Sequence, residues 1–119
     1  MCCNSGPQEA AVGMSEAQRY MAIQIKGAQL PAPVLEFKFN PERRYRADFA
    51  WPSYMLIFEI EGGTWIKGRH VTGQGFQDDI YKYNSAVLLG YRVLRATTQD
   101  VNSGIALQTL EAALRVPVE

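Results

Sequence analysis

The stretch Arg46-Ala47-Asp48-Phe49-Ala50-Trp51-Pro52-Ser53-Tyr54-Met55-Leu56-Ile57-Phe58-Glu59-Ile60-Glu61 decides how this chain reads. Two runs rich in β-branched and aromatic residues flank Pro52-Ser53, which is the composition of two strands joined by a tight turn. If Pro52-Ser53 is a two-residue hairpin loop, Trp51 pairs with Tyr54, Phe49 with Leu56, Asp48 with Ile57 and Arg46 with Glu59. Side chains then sort by parity. Phe49, Trp51, Leu56, Phe58 and Ile60 fall on one face, ready to be covered by a helix. Asp48, Glu59 and Glu61 fall together on the other.

In that register Asp48 and Glu59 are diagonal neighbours about 7–8 Å apart at the backbone, within reach of one shared ion. Three carboxylates on one patch repel one another, and a hard divalent cation bound through oxygen relieves the repulsion. The same pattern also describes the solvent side of an amphipathic strand, with Asp48 a charge near a turn. Tyr54–Ile60 is nearly all apolar, however, so Glu59 sits in the kind of strand that is usually central, where an uncompensated carboxylate is costly.

Working outward, Val34–Phe39 alternates apolar and charged residues and reads as a half-buried strand. Upstream, Ser15 can cap a helix running from Glu16 to Leu30, with Tyr20, Ile23 and Gly27 on one face and Pro31 and Pro33 ending it. Residues 1–14 read as a loose tail and residues 15–119 as a single domain. Downstream, five glycines within 62–75 predict a flexible loop. Phe76, Ile80, Tyr83, Val87 and Leu88 then predict a helix closed by Gly90. Tyr91–Ala96 predicts a short strand, and Thr97 or Thr98 caps a last helix carrying Val101, Ile105, Leu110 and Leu114 on one face before Pro117. The order is α-β-β-β-α-β-α, an α/β fold with a small mixed sheet flanked by helices. The helical crossover makes the third and fourth strands parallel, and the earlier hairpins are antiparallel.

With 119 residues, 47% of them hydrophobic, the chain suits one domain with a modest core. No apolar run approaches the roughly 18–20 residues of a membrane span, and no signal-peptide pattern opens it, so a cytoplasmic protein without membrane contact is expected. Cys2 and Cys3 stand side by side without metal spacing. The glycine-rich stretch lacks the endings of a P-loop or a dinucleotide-binding turn, and a single histidine rules against a Ser-His-Asp triad. The net charge is zero, so any attraction for nucleic acid is local. Lys38, Arg43, Arg44, Arg46, Lys67 and Arg69 do gather around the acids. Arg44 and Arg46 share the parity of Asp48 and could meet phosphates, while Arg46 could equally well offset Glu59 across the sheet.

Arg-Ala-Asp48-Phe-Ala-Trp-Pro, Phe-Glu59-Ile-Glu61-Gly-Gly, Gly-Arg-His70, Lys82-Tyr-Asn and Gly-Tyr-Arg-Val-Leu-Arg95 together resemble the very-short-patch-repair-like branch of the PD-(D/E)XK nucleases, over residues 16 to about 100. The resemblance implies a restriction-endonuclease-like core and Mg²⁺-dependent cleavage of DNA, in repair, recombination or restriction, with Mn²⁺ as a substitute ion. Asp48 takes the first acidic place and Glu59 the second. Glu61 stands where the superfamily usually has Lys, although some restriction enzymes use Glu-x-Glu, and Lys82 resembles the lysine that migrates to the following helix in some branches. Glu16 matches a helical Glu that many members add to the metal site, and His70 matches a histidine acting near the scissile phosphate.

On this reading Asp48, Glu59 and the Ile60 carbonyl hold one or two ions, and Glu61 completes the shell or orients the attacking water. Lys82 offsets charge on the phosphate, and Arg44, Arg46, Lys67 and Arg69 contact DNA. Small nucleases of that superfamily often dimerise to cut both strands, which extends a homodimer to this chain as an option. A non-catalytic DNA-binding module of the same fold, or a nuclease acting on RNA, fits the same residues.

Overall fold

Helix α1 (Glu16–Gly27) starts where the sequence supplies a reciprocal cap: Ser15 Oγ accepts from the Gln18 N–H, and the Gln18 side chain accepts from the Ser15 N–H. The computed structural model describes residues 14–61, 65–66, 69–70 and 74–115. Met21 and Ile25, one turn apart, are the buried residues of α1, whereas Tyr20 and Ile23 lie exposed. The covered stripe is thus rotated from the expected one. The helix also stops at Gly27, where the Ala28 N–H bonds back to Gln24 and Gln29 turns to φ 60, three residues short of Leu30.

The four-stranded sheet has the order β1 (Val34–Lys38), β2 (Arg46–Trp51), β3 (Leu56–Glu61), β6 (Arg92–Thr97). β1–β2 and β2–β3 are antiparallel, and β3–β6 is parallel across the crossover formed by α2 (Gln74–Leu88), as expected. Within the glycine-rich stretch, expected to be loop, Trp65–Ile66 (β4) and Arg69–His70 (β5) pair as a short antiparallel ribbon.

The β2–β3 connection is longer than two residues. Pro52 fits the first turn of a 3₁₀ segment (Pro52–Tyr54), and Met55 closes it in the left-handed region at φ 48, its N–H bonding to the Pro52 carbonyl. Trp51 therefore pairs with Leu56 and Phe49 with Phe58. The pairing has slipped by two positions, which preserves parity. Phe49, Trp51, Leu56 and Phe58 still share one face, packed with Met21 and Ile25 of α1 and with Val101, Ala106 and Leu110. Those last three come from α3 (Thr98–Ser103) and α4 (Ile105–Arg115), which Gly104 separates in a left-handed conformation at φ 91. One continuous helix was expected there, and the break leaves Ile105 exposed. The buried Trp51 indole donates to the Pro31 carbonyl at 2.7 Å, so its burial leaves no orphan donor.

On the opposite face Phe39, Ala47, Ala50, Ile57 and Ala86 form a second cluster, joined by Phe37, Tyr45 and Tyr91. The aromatic rings fill this layer, so α2 meets it with the small Ala86. Phe76, Ile80, Val87 and Leu88, the stripe expected to face the core, are exposed, and of the expected stripe Tyr83 alone is half-buried.

Candidate active site

Asp48 and Glu59 meet because of an irregularity in β2. Ala47 and Ala50 both belong to the second cluster while Phe49 belongs to the first, so the strand's alternation breaks at Asp48. Its partner position on β1, Glu36, sits between the Leu35–Phe49 and Phe37–Ala47 pairs and adopts φ 50. The β2–β3 pairing ends at Phe49–Phe58, so Asp48 and Glu59 are the next residues of the two strands, adjacent to where the ladder stops. At this point side chains take over from the ladder: the Asp48 N–H donates to Glu59 Oε2 at 3.0 Å, and the Ile60 N–H donates to Asp48 Oδ2 at 2.9 Å.

Two further donors hold the pair. Gln18 Nε2 donates to Asp48 Oδ1 at 2.6 Å, and Lys82 Nζ lies 3.1 Å from Glu59 Oε1. Gln18 is a residue the sequence reading missed. Its signal was the Ser-x-x-Gln capping pattern, whose amide oxygen is spent on the cap and whose nitrogen is therefore turned outward. Lys82 arrives from α2, where the resemblance put it.

Glu61 goes elsewhere. Its Oε2 accepts from the Tyr83 hydroxyl at 2.6 Å and from Arg95 Nε at 2.9 Å. Among the described residues no group of three or more His, Cys, Asp or Glu side chains gathers as a metal cluster. The pair of Asp48 and Glu59 is brought together, and the expected third acid is drawn to Tyr83 and Arg95.

The pair opens onto a cleft of about 980 Å³ on the α1 side, lined by Ser15, Glu16, Gln18, Arg19, Asp48, Glu59 and Ile60 among others. Glu16 is exposed on the first turn of α1, at the rim of the same cleft. Arg44 and Arg46 are exposed, Arg46 pairs with Lys38 on β1, and the two-position slip between β2 and β3 removes its expected pairing with Glu59. Arg69 and His70 belong to β5 by their backbone. Lys67 lies outside the described residues.

Burial shapes the charges. Glu59, 6% exposed, is the one charged residue buried in the core among those described. Loss of solvent, then the neighbouring Asp48 charge, pushes its carboxyl up to about 7, against the downward pull of Lys82. Burial likewise raises Asp48, against the Ile60 N–H, Lys82 and Gln18. Burial would raise Glu61 too, but the bonds from Arg95 and Tyr83 outweigh it and hold that carboxyl low.

A pH dependence of stability follows. Glu59 keeps its proton longer when folded than when unfolded, so its contribution is intact below about pH 4.5. It is lost as pH rises toward about 7, a loss of roughly 3 kcal/mol without metal. Asp48 pulls in the same direction. Metal-free protein should therefore melt at a lower temperature at pH 8 than at pH 5, and Glu59→Gln should flatten that difference and exceed the wild type at pH 8. An unchanged pH slope in the variant would refute the assignment.

No family model and no curated protein matches the chain. Its fold is similar to that of a solved structure, the homing endonuclease I-Bth0305I catalytic domain, with a TM-score of 0.62 and 14% identity. The match covers 85% of this chain and 94% of that one. At this identity the likeness is one of fold.

Proposed function

We propose that the chain is a Mg²⁺-dependent endonuclease that hydrolyses DNA phosphodiester bonds, of the PD-(D/E)XK kind and closest in pattern to its very-short-patch-repair-like branch. The observation that carries this reading is the Asp48–Glu59 pair: two adjacent carboxylates, both raised by burial, at the wall of an open cleft with a lysine on the far side. A structural role accounts poorly for them, because burial disfavours the charged form of both carboxyls. The nuclease named among solved structures has the same fold, which adds support at that level.

The donor set suits the ion. Each carboxylate oxygen of the pair accepts one hydrogen bond, from Gln18, Ile60, Lys82 or the Asp48 N–H, and each keeps a second lone pair. Mg²⁺ is characteristically held by one or two carboxylates together with waters and substrate phosphate, so a third acid is not required. Asp48, Glu59 and the Ile60 carbonyl would hold Mg²⁺ or Mn²⁺. Glu16 stands at the rim, and Glu61 is held by Tyr83 and Arg95 through Oε2. The bound ion supplies an acidic water and a counter-charge for the leaving oxygen.

The chain's own groups do the rest. Gln18 and the Ile60 N–H fix the Asp48 carboxylate, and Lys82 sets a positive charge against the phosphate as its negative charge grows. Arg44, Arg46, Lys67 and Arg69 would contact backbone phosphates, and His70 the region of the scissile bond. Two copies acting together would cut both strands.

The test is incubation of the purified protein with plasmid, branched and mismatched DNA, and with RNA, in Mg²⁺ or Mn²⁺ against EDTA. Metal-dependent cleavage of DNA is expected. Metal and DNA binding without cleavage would convert the reading to a non-catalytic DNA-binding module, and cleavage of RNA alone would move the substrate.

A further inference from the structure

Strand β6 carries two arginines in different circumstances. Arg92 is half-buried and spends both terminal amines on carbonyls, Nη1 on Ala113 and Nη2 on Tyr54, each at 3.0 Å, which ties the strand to α4 and to the β2–β3 turn. It is a structural arginine. Among the described residues Arg95 hydrogen-bonds through Nε to Glu61, and it keeps 50% of its side chain in solvent. Its guanidinium lies 4.3 Å from the centre of the Tyr83 ring. Tyr83 in turn donates to the same Glu61 oxygen that accepts from Arg95. Ring, carboxylate and guanidinium therefore fix one another, and the fork is held in one orientation before any ligand arrives.

The position matters as much as the rigidity. In the parallel β3–β6 register Arg95 is the partner of Glu59, on the adjacent strand at the usual spacing of about 4.8 Å. Lys82 Nζ lies 3.1 Å from Glu59 Oε1. The acid pair thus has the α1 cleft on one side and Lys82 of α2 against Glu59, while the Arg95 guanidinium stands at Glu61, two residues along β3 from Glu59. A planar, exposed, pre-oriented guanidinium is the donor best matched to two oxygens of one phosphate.

We infer that Arg95, oriented by Glu61 and Tyr83, is a phosphate-contacting residue of the nucleic-acid binding face, and that Glu61 serves as its positioning residue. This inference rests on the nuclease reading above. It assigns a task to the glutamate that stands where the superfamily usually has lysine, since Glu61 then carries a cation to the site instead of being one.

Binding of duplex DNA in EDTA, followed by fluorescence anisotropy between 50 and 200 mM salt, tests it apart from catalysis. Removing one phosphate contact lowers the slope of log affinity against log salt by about 0.9, which is about a threefold smaller loss of affinity over that range. Arg95→Gln is expected to bind more weakly at low salt with the shallower slope. Arg95→Lys should keep the slope and lose part of the affinity. Glu61→Gln keeps the charge of Arg95 and should leave the slope as in wild type.

If Arg95→Gln matches the wild type in affinity and slope, or only lowers the melting temperature, Arg95 is merely the partner of Glu61 and the inference is overturned. Should the variant misfold, Arg95→Lys decides: a slope reduced by a full contact despite the retained charge would also overturn it. Failure of the wild type itself to bind DNA would instead sink the nuclease reading, and the inference with it.

Discussion

Asp48→Ala and Glu59→Ala are each expected to reduce DNA cleavage by more than about 10³-fold, because groups that act as one unit lose nearly everything when any member is removed. Asp48 and Glu59 qualify as such a unit through interlocked bonding: the Asp48 N–H donates to the Glu59 carboxylate, and the N–H of Ile60, next to Glu59, donates to the Asp48 carboxylate. Both variants should also lose affinity for Mg²⁺ in calorimetric titration, since each removes one of the two carboxylate donors. The discriminating part of the result is stability. Removing a catalytic residue at random from a core normally destabilises, yet here each truncation relieves a carboxylate raised chiefly by burial, to which the Asp48 charge adds for Glu59 and the Glu61 charge for Asp48. In metal-free buffer at pH 8 the variants should therefore melt at or above the wild-type temperature despite the cavity. Loss of activity accompanied by a marked loss of stability would instead identify the pair as a structural network. Near-wild-type cleavage by either variant would refute the site outright.

The way this pair was legible in the sequence follows from the geometry of strands. A hairpin loop of two residues was expected, and the connection is longer because Pro52 starts a 3₁₀ turn that Met55 must close with positive φ. That change displaces the pairing by two positions, and side chains alternate with period two, so Phe49, Trp51, Leu56 and Phe58 kept their common face. Ala47 did not, because the alternation of β2 breaks at Asp48, an irregularity that parity could not foretell. Helical faces offered less protection. On α1 the stripe through Tyr20 and Ile23 lost to that of Met21 and Ile25, and on α2 the larger apolar residues point outward while Ala86 meets the aromatic layer. Amphipathic spacing gives a helix a face, but the shape of the opposing layer chooses which one is buried. The partners of Glu61 were out of reach for a different reason. Tyr83 and Arg95 stand 22 and 34 residues further on, and only the parallel β3–β6 register brings the second of them beside the acids. The β4–β5 ribbon was hidden by glycines that read as a loop.

Lys82→Ala is expected to lower the single-turnover rate of cleavage by roughly 10²–10³-fold with DNA affinity nearly unchanged. The magnitude is that of removing one electrostatic stabiliser from a partly dry site. The geometry fits that role, for the Lys82 ammonium lies 3.1 Å from Glu59 and retains 19% of its side chain in solvent, enough for contact with a substrate. A lysine that served only to neutralise Glu59 would behave differently. Its loss would leave Glu59 without a cation, raise that carboxyl further and favour its protonated form at neutral pH, so activity would be recovered at higher pH. A lysine acting on the phosphate gives a loss that higher pH does not repair, because the missing charge is needed in the transition state and not in the ground state. Metal affinity adds a second axis. Lys82 and a divalent ion both draw on Glu59, so at pH 8 Lys82→Ala should bind Mg²⁺ as tightly as wild type or more so while turning over far more slowly. Single-turnover rates from pH 6 to 9, set beside metal titrations at pH 8, separate the two roles: recovery of the rate with rising pH would make Lys82 a counter-ion alone, and a rate depressed across the whole range would make it a catalytic residue.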